Sequence, residues 1–195
     1  MKVMIKFIAF VLIVVTSTLW VASCSKPDKK NPSCSDRQRW DVKTLTDPQA
    51  SNINYTPIKT TIADLISIPP QNTIIDNTPR FGIEFNTYSF QCHIREFKLS
   101  NDGDYHLVLE DLSEPSKTMI GEIPDPFCES VQQSIRVYQI TQTRKDFQNT
   151  LLVTAQVDTS VYTITGVAFY DRVHGQVGVA PTGIEIHPIL SIIKN

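Results

Sequence analysis

The chain has 195 residues, with 18 basic and 20 acidic side chains and a formal net charge of −2. Without a basic cluster it lacks the positive footprint of nucleic-acid binders, which argues against nucleic acid as a partner. At 41% hydrophobic and 19% charged, it is too apolar to stay disordered throughout, and it shows no repeat at a solenoid period.

Lys2 and Lys6 precede an uninterrupted apolar run from Phe7 to Val15. A membrane-spanning helix needs about 20 apolar residues, so this shorter run suits the core of a secretory signal. Val21-Ala22-Ser23-Cys24 follows. These four residues resemble the lipobox of bacterial lipoproteins, which implies a signal peptide over 1–23 and acylation of Cys24. Ordinary cleavage near Ser23, leaving a soluble secreted protein, is the alternative. Acyl chains contribute about 0.8 kcal/mol per buried methylene, and two or more anchor a protein stably. The polar SKPDKKNPS stretch then makes residues 24–33 a tether. Ser25 after the lipid-bearing cysteine, in place of aspartate, implies the outer membrane where the host has two.

Residues 34–83 form an N-terminal extension with one strand and a short helix at Ile62 to Ile66, expected to pack over one end of the domain that follows. From Phe85 to Leu99 the chain alternates in two phases. Tyr88, Phe90, Cys92 and Ile94 share one face, and then Phe97 and Leu99 take over with opposite parity. An extra residue in a strand, a β-bulge, turns the next side chains over in this way. An Asn/Asp/Gly turn leads to a second strand over His106 to Glu110, and a third spans Thr118 to Ile123. Asp125 as N-cap, Pro126 at the first turn, and Val131, Ile135 and Tyr138 at helical spacing predict one helix reaching Thr143. A fourth strand covers Ser160 to Tyr170 and a fifth covers Gly183 to Ile189.

That order is mainly β: three strands, a helix, then two strands, with a long bulged first strand. It resembles the OB-fold, a five-stranded Greek-key barrel with its helix between strands 3 and 4. The barrel domain is expected over 84–195. Export permits disulfides. Cys92 falls on an apolar face, where a thiol packs as a small hydrophobe, and Cys34 and Cys128 sit at element edges, so the expected bridge is Cys34–Cys128.

Three clusters carry residue types that bind or react: Asp104 with His106, Asp171 with His174, and Glu185 with His187. In the fifth strand Ile184 and Ile186 point one way, so Glu185 and His187 share the other face. Histidine with carboxylate is a metal-ligand set, and a catalytic zinc uses three protein ligands and an open position. The spacing matches no specific metal motif, so a divalent metal is one option and no cofactor the other. As ordinary surface, these residues would be a hairpin turn and the solvent side of a strand. Staphylococcal-type nucleases share the barrel, but Arg95, Arg136, Arg144 and Arg172 do not sit in that family's motifs. There is no GxSxG elbow and no cysteine in an activating setting.

The strings DYHLVLED, TMIGEIPDPFC and TGVAFYDRVHGQVGVAPTGIEIHPIL, together with RWDVKT near the start, resemble a recurring secreted bacterial domain of unknown role. The one departure is APTG where that pattern has APNG. The resemblance implies a common scaffold and brings no activity with it. Three functional expectations follow. The first is a lipid-anchored cell-envelope binding module, its protein or small-molecule ligand lying across the second and third strands and the His174 loop. The second is a metal-assisted hydrolase using Asp104, His106, Asp171, His174, Glu185 and His187. The third is a structural envelope lipoprotein.

Overall fold

Residues 34, 38–70, 73–152 and 159–195 are described by a computed structural model. The expected signal segment over 1–23, Cys24 and the expected tether over 24–33 lie outside the described residues. Helix α1 (Trp40–Thr44) opens the extension. Strand β1 (Asn54–Lys59) and helix α2 (Ile62–Leu65) follow, and β2 (Asn86–Leu99), β3 (Tyr105–Asp111) and β4 (Thr118–Ile123) form the first barrel strands. Helices α3 (Glu129–Gln132) and α4 (Val137–Phe147) come next, and β5 (Tyr162–Tyr170) and β6 (Ile184–Lys194) complete the order. Among the described residues no helix is long and apolar enough to cross a membrane.

The sheet runs β1-β2-β3-β4-β6-β5, and β5 pairs back onto β2 to close a five-stranded barrel with β1 added beside it. β4 and β6 are parallel and the other barrel pairs antiparallel. This is the OB-fold order. One strand must serve both halves of such a barrel: β2 pairs with β5 over Thr87–Cys92 and with β3 over Cys92–Leu99. The register slips between Ile94 and Glu96, placing the bulge at Arg95. Tyr88, Phe90, Cys92 and Ile94 fill the interior, and Phe97 packs against it after the parity change. Leu99, by contrast, is exposed at the strand's end.

The interior is completed by Leu107, Leu109, Met119, Ile164, Ile186 and Ile189. Each large aliphatic side chain buried there contributes about 1.5–3 kcal/mol relative to exposure. α2 and α4 reach opposite ends of β3. The backbone N–H of Ala63 donates to Asp111 at 2.9 Å, and Phe147 packs on Tyr105 with ring centroids 4.7 Å apart. Thr61 caps α2 by accepting from the Asp64 N–H.

Two expectations are corrected. The single helix from Pro126 is two helices broken over Gln133–Arg136, with Ile135 54% and Tyr138 72% exposed. The buried stripe of α4 is instead Ile140, Thr143, Arg144 and Phe147, and Asp125 starts a turn through the Phe127 N–H rather than capping a helix. The extension, in turn, does not sit only at one end. Ile62 and Leu65 join the barrel core, whereas Leu45, Ala50 and Ile53 pack against Val167 in a separate cluster. Two buried ion pairs lock the extension's own turns: Arg39–Glu84 at 2.5 Å and Arg80–Asp47 at 2.6 Å. The Cys34–Cys128 disulfide is present, and Cys92 is buried and free.

Candidate functional site

Alternation along the barrel strands dictates where the charged side chains go. Leu107 and Ile186 face inward, so their neighbours His106 and His187 face outward. His106 pairs across from Glu122 on β4, and the parallel β4–β6 register, Gly121 opposite Ile186, brings Glu122 beside His187. A second bulge helps aim the ring. Between the pairs Ala168–Ile186 and Gly166–Ile189, His187 and Pro188 together oppose Val167.

Asp104 ends the turn into β3. That turn is held by Arg144, whose guanidinium donates to the carbonyls of Gly103 (2.6 Å), Ile123 (3.0 Å) and Pro124 (3.2 Å). Asp171 follows β5. The outer face on which these groups meet is roofed by α1, which supplies Lys43. Its ammonium lies 3.2 Å from Asp171, 3.5 Å from Glu185 and 3.9 Å from Glu122. Its carbonyl accepts from His187 Nδ1 at 3.0 Å.

Of the six residues singled out in the sequence, five meet here: Asp104, His106, Asp171, Glu185 and His187. His174 does not. It is exposed on the 171–183 loop, where its N–H donates to the Gln176 side chain at 3.0 Å and its ring meets the same amide. The solvent-facing reading of Glu185 and His187 also fails, because both are buried under α1. Lys43 and Glu122 complete the cluster and were missed. Lys43 lies within RWDVKT, and Glu122 ends an apolar strand, so only the register shows them together. Trp40 of the same stretch donates to Ser130 at 2.6 Å, and Arg39 grips Glu84.

The electrostatics are those of several acids sharing few cations. Burial disfavours the Lys43 charge, but Glu185, Glu122 and Asp171 outweigh it and hold the ammonium well above its usual range. Burial raises the Asp104 carboxyl. Burial also raises Glu185, and the Glu122 and Asp171 charges add to it against Lys43, bringing it to about 8. Glu122 goes the other way, since Lys43 and the two imidazoles overcome its burial and hold it low. His187 is disfavoured as a cation by burial, yet the carboxylates of Asp104 and Glu122 lift it to about 10.

The usual ligand face of such a barrel, the outside of β3 and β4, is partly covered by the chain itself. Gly178, at φ +79°, lies so close to Val108 that an added Cβ would come within 2.5 Å of its methyl group. The 174–180 stretch is therefore a cover over that face. An open groove of about 490 Å³ lies elsewhere, lined by Lys59, Ser89, Gln91, Asp111, Ser113 and Thr163 among others, and no cluster residue lines it. Cys92 offers no nucleophile, because burial pushes its thiol up to about 12.

Fold and site together define an OB-like barrel with a roofed, charged outer face and a separate groove of mixed polar and apolar lining. The chain matches no protein-family model, no curated protein and no solved structure.

Proposed function

We propose that this protein is an exported, lipid-anchored binding module that takes a hydroxyl-rich ligand in the groove between β1, β2 and the end of β3. The observation that carries the reading is the groove's lining. It offers hydroxyls from Ser89, Ser113 and Thr163, the Gln91 amide and the Lys59 ammonium on an open surface. Such side chains recognise a ligand by directed hydrogen bonds. The signal-like 1–23 segment and the Val21-Ala22-Ser23-Cys24 lipobox support export and acylation. Ser25 supports the outer membrane in a host with two, and the resemblance to a recurring secreted domain supports a shared scaffold.

A catalytic metal keeps a coordination position open to substrate. Asp104 and His187 are each 0% exposed, so the hydrolase reading is not preferred. A structural envelope role would be favoured by co-purification of one stoichiometric partner. The binding reading is tested by titrating the chain with soluble envelope glycan fragments and following its thermal midpoint. Stabilisation that disappears in Gln91→Ala and Thr163→Ala supports it. A midpoint unmoved by every fragment counts against it. Palmitate labelling that survives Cys24→Ala would refute the anchor.

A further inference from the structure

His187 carries the argument. Its Nδ1 meets the Lys43 carbonyl at 3.0 Å, and a carbonyl can only accept, so Nδ1 bears the proton. Nε2 is then left 3.0 Å from Glu122 Oε2 and 3.6 Å from Asp104 Oδ2. Neither contact is a directed hydrogen bond: His187 Nε2 and Asp104 Oδ2 are both fully buried and have no hydrogen-bond partner. A ring nitrogen and two carboxylate oxygens converging on one point repel one another unless a proton or a metal ion sits among them, and a single proton can bond only one of the two oxygens. Burial makes that repulsion stronger still.

We infer that Asp104, Glu122 and His187 bind one divalent transition-metal ion, zinc by preference, beneath the α1 roof, where it ties the turn before β3 to β4 and β6. Their ligand atoms all lie within 4.8 Å of one another. Zinc bonds of about 2.0–2.1 Å set tetrahedral ligand atoms roughly 3.3 Å apart. The observed 3.0 and 3.6 Å bracket that value. One imidazole with two carboxylates suits zinc and its neighbours rather than calcium or magnesium.

Each ligand is also held from behind, as metal ligands commonly are. His187 is held by the Lys43 carbonyl. Glu122 Oε1 is held by His106 Nδ1 at 2.9 Å, and Asp104 Oδ1 by the Asp125 N–H at 2.8 Å. The three free ends converge while the three tethered ends diverge. Lys43 does not take the ion's place, since its ammonium is nearer Asp171 and Glu185 than Glu122. The site is independent of the groove and needs no reaction.

The test is metal content. The full chain is purified in detergent without chelator and counted by inductively coupled plasma mass spectrometry. About one zinc per chain is expected. Asp104→Asn and His187→Gln should remove it, and His106→Gln should weaken zinc binding roughly 10- to 100-fold. His174→Ala should keep it in full. Where the ligand variants fail to fold, chelator-stripped wild type decides. Added zinc chloride should raise its thermal midpoint by roughly 5 °C or more at saturating concentration. A folded, stripped chain that takes up no zinc overturns the inference. So does zinc retained equally by folded Asp104→Asn and His187→Gln chains, which would place the ion elsewhere.

Discussion

The carbonyl of Lys43 accepts a hydrogen bond from His187 Nδ1 at 3.0 Å, although 144 residues separate them. The bond joins the first helix of the extension to the last strand of the barrel. The ammonium of the same lysine meets Asp171 and Glu185. One residue thus holds the roof by its backbone and by its side chain.

Lys43→Met keeps much of the stem's packing and removes the charge, leaving Asp171 and Glu185 facing each other. Removing one partner of a buried ion pair costs about 3–5 kcal/mol. Urea unfolding of the variant should show a loss of that order. A loss under about 1 kcal/mol would mean that the acids rearrange freely, as at a surface.

The cover loop makes a steric prediction. Gly178→Ala would drive a Cβ to within 2.5 Å of Val108, at a positive φ, whereas Gly175, at φ +85°, has open space around it. The strained backbone alone costs about 1–2 kcal/mol. Gly175→Ala should lose about that much, and Gly178→Ala a further 1–3 kcal/mol from the clash. Equal losses in denaturant titrations would mean that the loop does not lie on β3.

Asp111 predicts part of the acid response. Burial opposes its charge, but the N–H groups of Ala63, Ser113 and Glu114 outweigh burial and hold the carboxyl below its ordinary value. A carboxyl depressed in the folded state stabilises fully above its unfolded pKa, about 3.9, and loses that contribution as pH falls through the folded value. Asp111→Asn should be less stable by about 1–3 kcal/mol at neutral pH. Its stability should also fall less steeply than wild type below about pH 4. Parallel curves for the two proteins would contradict this.

The disulfide joins residues 94 positions apart. A bridge closing so long a loop restricts the unfolded chain, and losing a native bridge typically costs 2–5 kcal/mol. Dithiothreitol should lower stability by about that amount in wild type and leave a Cys34→Ser, Cys128→Ser double variant unchanged. Buried Cys92 should resist alkylation until the chain unfolds.

The features legible in the sequence were local or parity-based. The Arg95 bulge shows in the shift from Ile94 to Phe97, because side chains alternate with period two and one extra residue inverts them. The barrel order followed from that strand and from the sequence of elements. Ile135 and Tyr138 misled, because helical spacing marks a buried face only if the helix continues, and here it breaks after Gln132. Five of the six sequence candidates belong to the seven-residue cluster, but what they do there is not visible in the sequence. Glu185 and His187 have the alternation of a solvent face, and they are buried only because α1 folds over them from far upstream. Lys43 and Glu122 stand alone in their own stretches and acquire partners through register. His174 had the right chemistry in a loop that turns outward.

The charged face is a fastening that makes the α1 roof part of the barrel. Hydrogen exchange followed by mass spectrometry tests this directly. Slow exchange at residues 40–47, matching β6 and lost together with it in Lys43→Met, is the predicted result. Exchange of 40–47 within seconds while β6 stays protected would contradict it, and would make the roof a separate flap over an open site.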